Sequence, residues 1–190
     1  RNADVQSSSY NDLKDVFRPG HGDYTYFKKY GIHDWRGGGR ASGRETVARV
    51  AAGAVAQKLI AAAGIDVIAY TKSIGGIESN TADLMLAQDL KAKVLQNPLC
   101  CPDHRAAAAM EEKITAVRKE GDTLGGVVEI LVRGCPAGLG EPVFDKMDAD
   151  LAAALMSIRT GKALEIGDGY AVAVKKGSQV NDPMDAQGFT

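Results

Sequence analysis

The sequence of 190 residues is poor in several features that would define whole classes of protein. It holds three cysteines, one tryptophan and six prolines. The cysteines are odd in number and two of them are adjacent, so they offer no disulfide framework. We interpret them as reduced thiols of a cytoplasmic protein. No apolar run is long enough to cross a bilayer, and we therefore expect no membrane partner.

An excess of charge of one sign is also missing. Lysine and arginine number 23 against 24 for aspartate and glutamate, which gives a formal net charge of −1. A general nucleic-acid or membrane-surface binder has a basic excess, so this balance argues against both classes. The length is enough for a substantial hydrophobic core, and we predict a single core domain over residues 1–190.

What the sequence does contain is a glycine-rich, arginine-rich stretch that leads into a long Ala/Val-rich segment. Arg36–Thr46 reads RGGGRASGRET, and its three consecutive glycines allow a sharp turn and close approach to a ligand. Ser42 and Glu45 have the spacing of a capping box at a helix start. Arginines crowd this start although the helix dipole disfavours bases there, which indicates an anion-binding site. These arginines are Arg36, Arg40, Arg44 and Arg49.

Other interpretations of these residues are weaker. The RGGGR patch could belong to an RNA-binding module or a solvated glycine-rich hairpin, but it is one short patch on a net-acidic chain. A P-loop is excluded because the GK[ST] ending is missing. Zinc at Cys100, Cys101 and His104 is disfavoured, since adjacent cysteines rarely both bind one ion and no second ligand pair follows. We predict no metal site.

Residue patterning predicts an α+β fold. The predicted strands alternate apolar and polar residues, which favours sheets with one face on a helical layer, a β-α-β sandwich with helices layered between sheets, over a doubly wound fold. The first long helix is apolar almost all round, so we expect it to be buried between layers. The predicted helices are Ser42–Ala63, Thr81–Leu95, Asp103–Lys119 and Asp145–Ile158, and the predicted strands are Ile65–Ile74, Gly126–Arg133, Ala163–Ile166 and Tyr170–Val174.

Longer motifs carry a resemblance to a known family. They read FRPGHGDYTY from Phe17, RGGGRASGRETVARVAAGA from Arg36, PAGLGEPVFDKMDADLAAALMSI from Pro136, and EIGDG from Glu165. In this order they resemble chorismate synthase, over essentially the whole chain. The resemblance implies a lyase of the shikimate pathway of aromatic amino acid biosynthesis. Such an enzyme removes phosphate from 5-enolpyruvylshikimate 3-phosphate by 1,4-anti elimination to give chorismate. It also implies reduced FMN as the cofactor, with NADPH as the candidate reductant, and a homotetramer.

The same resemblance implies roles for individual residues. His21 matches an active-site histidine, and a histidine suits proton transfer near neutral pH. The remaining matches are to substrate-binding positions at Arg18, Ser42 and Arg44, and to FMN-contacting positions at Arg40, Ala41, Ser42, Arg159 and Thr160. The family usually has Asn-Ala after the MSI motif, whereas this chain has Arg159 and Thr160. An FMN contact by this pair is therefore expected through backbone atoms.

Two blocks of the family are not found in these residues. One is an N-terminal block with an SHG histidine, and the other is a C-terminal block with KPT and RxDP elements. We therefore interpret the chain as an internal core fragment, inactive by itself and weak in FMN binding. The fragment could keep the tetramer of the family or form a dimer.

Overall fold

The computed structural model describes residues 7–81, 87–186 and 188–189. The chain divides into two compact units, one made of Arg1–Val50 with Gly138–Thr190 and the other of Ala51–Ala137. Helices accompany a small antiparallel sheet, which confirms the predicted α+β class. Among the described residues, no helix combines the length and the apolar character needed to cross a membrane.

The secondary structure follows the chain in a simple order. The α-helices among the described residues are α1 (Asp23–Tyr30), α2 (Thr46–Ala62), α3 (Leu90–Val94), α4 (His104–Lys119) and α5 (Met147–Met156). The strands are β1 (Asp66–Ile74), β2 (Ile77–Glu78), β3 (Gly126–Arg133), β4 (Met184–Asp185) and β5 (Gly188–Phe189). Short 3₁₀ helices occupy Ser7–Leu13, Gly39–Ala41, Gly43–Glu45, Gly169–Val174 and Gly177–Gln179.

The second unit is built on a three-stranded antiparallel sheet in the order β2-β1-β3. Strands β1 and β3 pair from Asp66 opposite Arg133 to Ile74 opposite Gly126, with an irregularity near Thr71. Both strands were predicted from apolar/polar alternation, and both predictions are confirmed within one residue. Because alternate side chains of a strand point to opposite faces, the sheet has one face available for a core.

Two small hydrophobic clusters pack against this sheet. One joins Ile68 and Tyr70 of β1 to Leu90 and Val94 of α3. The other is made by Cys101, Ala106, Ala107 and Met110. Burial raises the pKa of the Cys101 thiol, which keeps it protonated and unreactive at neutral pH.

Helix α4 begins as the sequence predicts. The Asp103 carboxylate accepts hydrogen bonds from the backbone N–H groups of Arg105 and Ala106, at 3.0 and 3.1 Å. These bonds satisfy donors that the first helical turn leaves free, and they lower the pKa of Asp103. The predicted Thr81–Leu95 helix is seen only as α3, and its residues 82–86 lie outside the described residues.

Helix α2 ends within one residue of the prediction, but it begins at Thr46 and not at the predicted Ser42, because Gly43–Glu45 forms a 3₁₀ turn. It also lacks the predicted burial. None of its side chains is buried within the described chain. Val55 and Leu59 are 71% and 75% exposed. The expectation of a helix buried between layers is therefore wrong for these residues, because the described part of the chain supplies no layer that covers it.

The two predicted closing strands are wrong. Residues 163–166 have no regular structure, and Gly169–Val174 forms a 3₁₀ helix. The backbone bonds locally, as in Ala171 N–H donating to the Asp168 carbonyl at 3.0 Å. A Lys175–Asp168 ion pair at 2.6 Å spans the same turn. A strand requires a neighbouring strand for its hydrogen bonds, and without one the chain satisfies them within a turn.

Candidate active site

A compact cluster of Arg18, His21 and Asp23 lies just before and at the start of α1. Asp23 is 2% exposed. Its carboxylate accepts from Arg18 Nε at 2.7 Å and from Arg18 Nη2 at 3.0 Å, the fork geometry of a guanidinium and a carboxylate. His21 Nδ1 lies 2.8 Å from Asp23 Oδ1. The FRPGHGD motif thus folds back on itself and brings its three ionisable side chains together.

The charge state of this cluster follows from its contacts. The hydrogen bond from Arg18 lowers the pKa of Asp23 to about 2, and it outweighs the opposing effect of burial. The same hydrogen bond raises the pKa of Arg18. Asp23 is therefore an anion throughout the neutral range, and its two oxygens can only accept hydrogen bonds.

The glycine stretch lies directly against the His21 ring. Gly38 is buried and has a φ of 83°, a conformation that favours glycine. A Cβ atom at Gly38 would lie 3.1 Å from His21 Cε1 and 3.3 Å from His21 Nε2. The next residue, Gly39, has a φ of 48°, and a Cβ there would lie 3.0 Å from Asp34 Oδ2. The sequence predicts that these glycines allow close approach to a ligand; in the structure, Gly38 closely approaches the His21 ring.

Ser42 caps the turn that leads into α2, but the predicted capping box is only half formed. The Ser42 hydroxyl accepts from the Arg44 N–H at 3.2 Å. Glu45 does not complete the box, because its carboxylate pairs with Arg49 Nη1 at 2.8 Å, one helical turn ahead. That bond lowers the pKa of Glu45. The ion pair also explains how one of the four arginines is tolerated at the positive end of the helix.

Arg159 connects three segments of the site that are distant in sequence. Its Nη2 donates to the Arg40 carbonyl and, at 3.3 Å, to the Tyr26 hydroxyl. A Cβ atom on Gly22 would lie 3.6 Å from Ala41 Cβ and 3.8 Å from Arg159 Nη1. Arg159 therefore joins α1, the Arg40–Ser42 segment and the turn after α5. Sequence reasoning missed this contact, since nothing local to Arg159 indicates a partner 119 residues away.

The other three arginines of the glycine-rich stretch have no close ion pair with a carboxylate among the described residues. Arg36 Nε is 3.7 Å from Asp34 Oδ1, a loose and exposed pair. Over residues 7–81, 87–186 and 188–189, no carboxylate forms an ion pair with Arg40 or Arg44. Free guanidinium groups beside a capped helix start are the donor set that multiply charged acids prefer.

The structure thus brings together most of the residues that the sequence singled out. His21 lies at Gly38, Arg159 lies at Arg40, and Ala41 is packed at Gly22. Arg18 is engaged with Asp23 through Nε and Nη2, which leaves its Nη1 for a ligand. Thr160 follows Arg159 with a φ of 73°. In the part of the chain that the structure describes, no group of three or more acidic, His or Cys side chains could hold a metal ion.

Comparison with known proteins places these motifs in a family. The family model for chorismate synthase matches residues 1–189. The chorismate synthase of Syntrophus aciditrophicus is 61% identical over 189 residues, which cover 100% of this chain and 52% of that protein. The chorismate synthase of Syntrophobacter fumaroxidans is 54% identical over 99% of this chain and 52% of its own length.

A solved structure shows the same relationship in three dimensions. A crystal structure of chorismate synthase superimposes with a TM-score of 0.79 at 32% identity, and covers 89% of this chain and 55% of that one. The chain therefore spans about half the length of the relatives it matches. These comparisons give no support to an RNA-binding module.

Proposed function

The chain belongs to the chorismate synthase family, and we propose that it forms the core of a catalyst that eliminates phosphate from 5-enolpyruvylshikimate 3-phosphate. The observation that carries the proposal is the packing of His21 on Gly38, together with Arg44 Nη1, which lies 3.4 Å from where a Cβ atom at the neighbouring Gly37 would be. A proton-transferring ring and free cations within one short segment suit a substrate that bears a phosphate and two carboxylates.

Each residue has a defined part in this proposal. Arg44, the Ser42 cap and Arg18 Nη1 would bind the anionic groups of the substrate and hold it beside His21. The 1,4-anti elimination breaks a carbon–oxygen bond, releases phosphate and removes one proton. His21 would hold or move a proton at its Nε2 atom, on the side that faces Gly38. Asp23 lies 2.8 Å from His21 Nδ1 and is held by the Arg18 guanidinium.

The residues present fit the flavin that the family implies. Arg159 Nε is buried and has no hydrogen-bond partner among the described residues, and the Arg40 guanidinium has no ion-pair partner there. A flavin mononucleotide carries a phosphate and ring carbonyls that accept from such donors. Arg40, Ala41, Ser42, Arg159 and Thr160 would hold it. When bound, the reduced flavin supplies electron density to the substrate transiently, and NADPH is the candidate source of its reduction.

The proposal includes inactivity of these 190 residues alone. They span about half of each relative, so much of the wall around flavin and substrate lies in other residues. An anaerobic assay with reduced FMN is expected to give no chorismate, and an FMN titration no saturation at micromolar concentration. Ordinary turnover by the chain alone would contradict this part of the proposal.

Substrate binding is tested separately by a method that detects weak complexes. Addition of 5-enolpyruvylshikimate 3-phosphate should shift the backbone NMR signals of His21, Gly38 and Arg44, and neither ATP nor an RNA oligonucleotide should reproduce these shifts. Loss of one charge-assisted contact in Arg44→Ala should weaken binding by about 10-fold or more. Arg118→Ala is the control, because Arg118 is an exposed arginine in the other unit. Equal affinities of the two variants would refute the assigned site.

A further inference from the structure

Two arginine side chains connect the same two segments of the first unit, one from each side. Arg49 Nη2 donates to the Ser157 carbonyl at 3.2 Å, and Arg159 Nη2 donates to the Arg40 carbonyl. The first segment contains the start of α2, and the second is the turn after α5. Each segment therefore supplies one guanidinium donor and one carbonyl acceptor to the other, and both bonds lie within one compact unit.

The bond from Arg49 suits the end of a helix. Ser157 is the C-cap residue of α5. The last turn of a helix leaves carbonyl groups without an intrahelical partner and carries a partial negative charge. A guanidinium at this end supplies a hydrogen-bond donor and a positive charge together. The contact therefore fixes the end of α5 against the start of α2.

Glu45 sets the direction of the Arg49 guanidinium. Its Oε1 accepts from Arg49 Nη1 at 2.8 Å, which leaves Nη2 as the donor to Ser157. The N–H groups of a guanidinium have fixed directions in one plane, so engagement of Nη1 also orients Nη2. The hydrogen bond from Arg49 is the largest cause that lowers the pKa of Glu45, and the charge of Arg159 lowers it further. Glu45 is therefore near both connecting arginines.

We propose that Arg49 is a positioning residue of the proposed flavin site, which holds the turn after α5 so that Arg159 stays bonded to the Arg40 carbonyl before any ligand binds. Glu45 contributes by directing the Arg49 guanidinium. This role deepens the proposed function and rests on it, because the segments that Arg49 joins are the two assigned there to flavin. Both Nη atoms of Arg49 are engaged within the chain, so it acts through the backbone and not by contact with the ligand.

The backbone of the turn after α5 depends on such support. Arg159 lies two residues beyond Ser157, and the next residue, Thr160, has a φ of 73°, which β-branched residues rarely adopt. A conformation of this kind persists where the surrounding contacts hold it. The bond from Arg49 holds the turn at Ser157. Its loss should therefore weaken the bond that Arg159 makes to the other segment.

The first test compares amide hydrogen exchange in the ligand-free chain and in its Arg49→Lys variant. Lysine keeps the positive charge and can still pair with Glu45, but its single nitrogen does not reproduce two directed bonds. The Ala41 N–H donates to the Gly38 carbonyl at 2.6 Å and reports on the turn that Arg159 holds. It should exchange about 3-fold faster or more in the variant. Unchanged exchange would overturn the proposal.

A second background separates the positioning role from a general loss of stability. If Arg49 acts through Arg159, then Arg49→Lys should speed Ala41 exchange no further in a chain that already carries Arg159→Ala. Additive effects of the two substitutions would overturn the proposal. Arg118→Lys is the matched control at an exposed arginine of the other unit, and the amides of α2 report whether the helix is intact.

Flavin binding is the readout that a purely structural role would not change. FMN is titrated to millimolar concentration and followed by the NMR signals of Arg40–Ser42. Its affinity for Arg49→Lys should fall by about 3-fold or more, because a smaller fraction of the chain is competent to bind. Equal affinity in a variant with faster exchange would overturn the proposal.

A further variant keeps the proposal falsifiable if Arg49→Lys does not fold. Glu45→Ala leaves Arg49 in place without the carboxylate that directs it, and should speed exchange of the same Ala41 amide. Unchanged exchange in this variant would also overturn the proposal. The exchange comparison requires no ligand, so its failure is distinct from failure of the proposed function, which the substrate titration tests.

Discussion

Gly38 lies where any side chain would meet the His21 ring. A Cβ atom there would approach the ring to 3.1 Å, and the φ of 83° is a conformation that residues with a side chain rarely adopt. Gly38→Ala should therefore lower the free energy of unfolding by about 1–3 kcal/mol, as measured by urea denaturation. It should also shift the NMR signals of His21.

Gly53 provides the matched control for this substitution. It lies inside α2, and a Cβ there would meet nothing within 4 Å. Gly53→Ala should raise stability by about 0.5–1 kcal/mol, because alanine loses less backbone entropy than glycine in a helix. Similar effects of the two substitutions would contradict the close packing of His21 on Gly38.

Asp23 gives the site a measurable pH dependence. Its pKa is about 2 in the folded chain against an ordinary value of 3.8. A lowered pKa stabilises the fold above the unfolded value, and that stability is lost as pH falls through the folded value. The free energy of unfolding should therefore lose about 2 kcal/mol from this group between about pH 4 and pH 2.

Comparison of two variants isolates this contribution. Urea unfolding of Asp23→Asn over the same pH range should lack this part of the decline, whereas Asp15→Asn should retain it, since the Asp15 side chain is 84% exposed. Parallel curves for all three proteins would contradict the ionised, buried carboxylate.

Sequence reasoning reached some of these residues and not others. Arg18 and His21 share one short motif, so their proximity could be predicted from spacing. Which charged groups pair with each other could not be predicted in this way. Glu45 has the spacing of a capping box with Ser42, yet it forms an ion pair with Arg49, whose long side chain reaches it along the same helix face. Competition between two nearby partners depends on geometry that the spacing leaves open.

Secondary-structure elements could be predicted where they depend on local sequence signals, and could not be predicted where they depend on residues distant in sequence. Strands β1 and β3 and the start of α4 were predictable because alternation and the Asp103 cap are local signals. The pattern of Tyr170–Val174 also suggests a strand, but a strand depends on a neighbour. Tyr170 and Val174 are 83% and 90% exposed, and the segment folds as a 3₁₀ helix.

Arg159 should stabilise the 3₁₀ turn Gly39–Ala41 through its hydrogen bond to one backbone carbonyl in that turn. Its hydrogen bond to Arg40 holds the 3₁₀ turn Gly39–Ala41. Loss of a hydrogen bond from a charged donor costs about 1.5–3 kcal/mol. Arg159→Ala should therefore speed amide hydrogen exchange of that turn by about 10-fold or more, while Arg118→Ala should leave it unchanged. Unchanged exchange in Arg159→Ala would show that the turn is held by other contacts.

At the scale of the whole molecule, the exposed apolar side chains of α2 have a measurable consequence. Val47, Val50, Val55 and Leu59 of α2 are between 67% and 75% exposed. Contiguous apolar surface of this kind promotes association. We expect the chain to bind a hydrophobic dye and to self-associate with rising concentration, as measured by light scattering after size-exclusion chromatography.

A double substitution on α2 tests this expectation. Val55→Glu with Leu59→Lys places a favourable charge pair one turn apart and should reduce association by several-fold while preserving the helix. Val174→Lys is the control, because Val174 is 90% exposed but lies outside α2. Equal association of both variants would assign the interaction to another surface.

The division of the first unit into Arg1–Val50 and Gly138–Thr190 bears on how the protein is made. The ribosome releases the whole of Ala51–Ala137 before the second half of that unit exists. The contiguous unit can therefore acquire its sheet during synthesis, whereas Arg40 must wait for Arg159 to be translated. The contact between Arg40 and Arg159 thus forms late in synthesis, and it requires closure of a long chain segment.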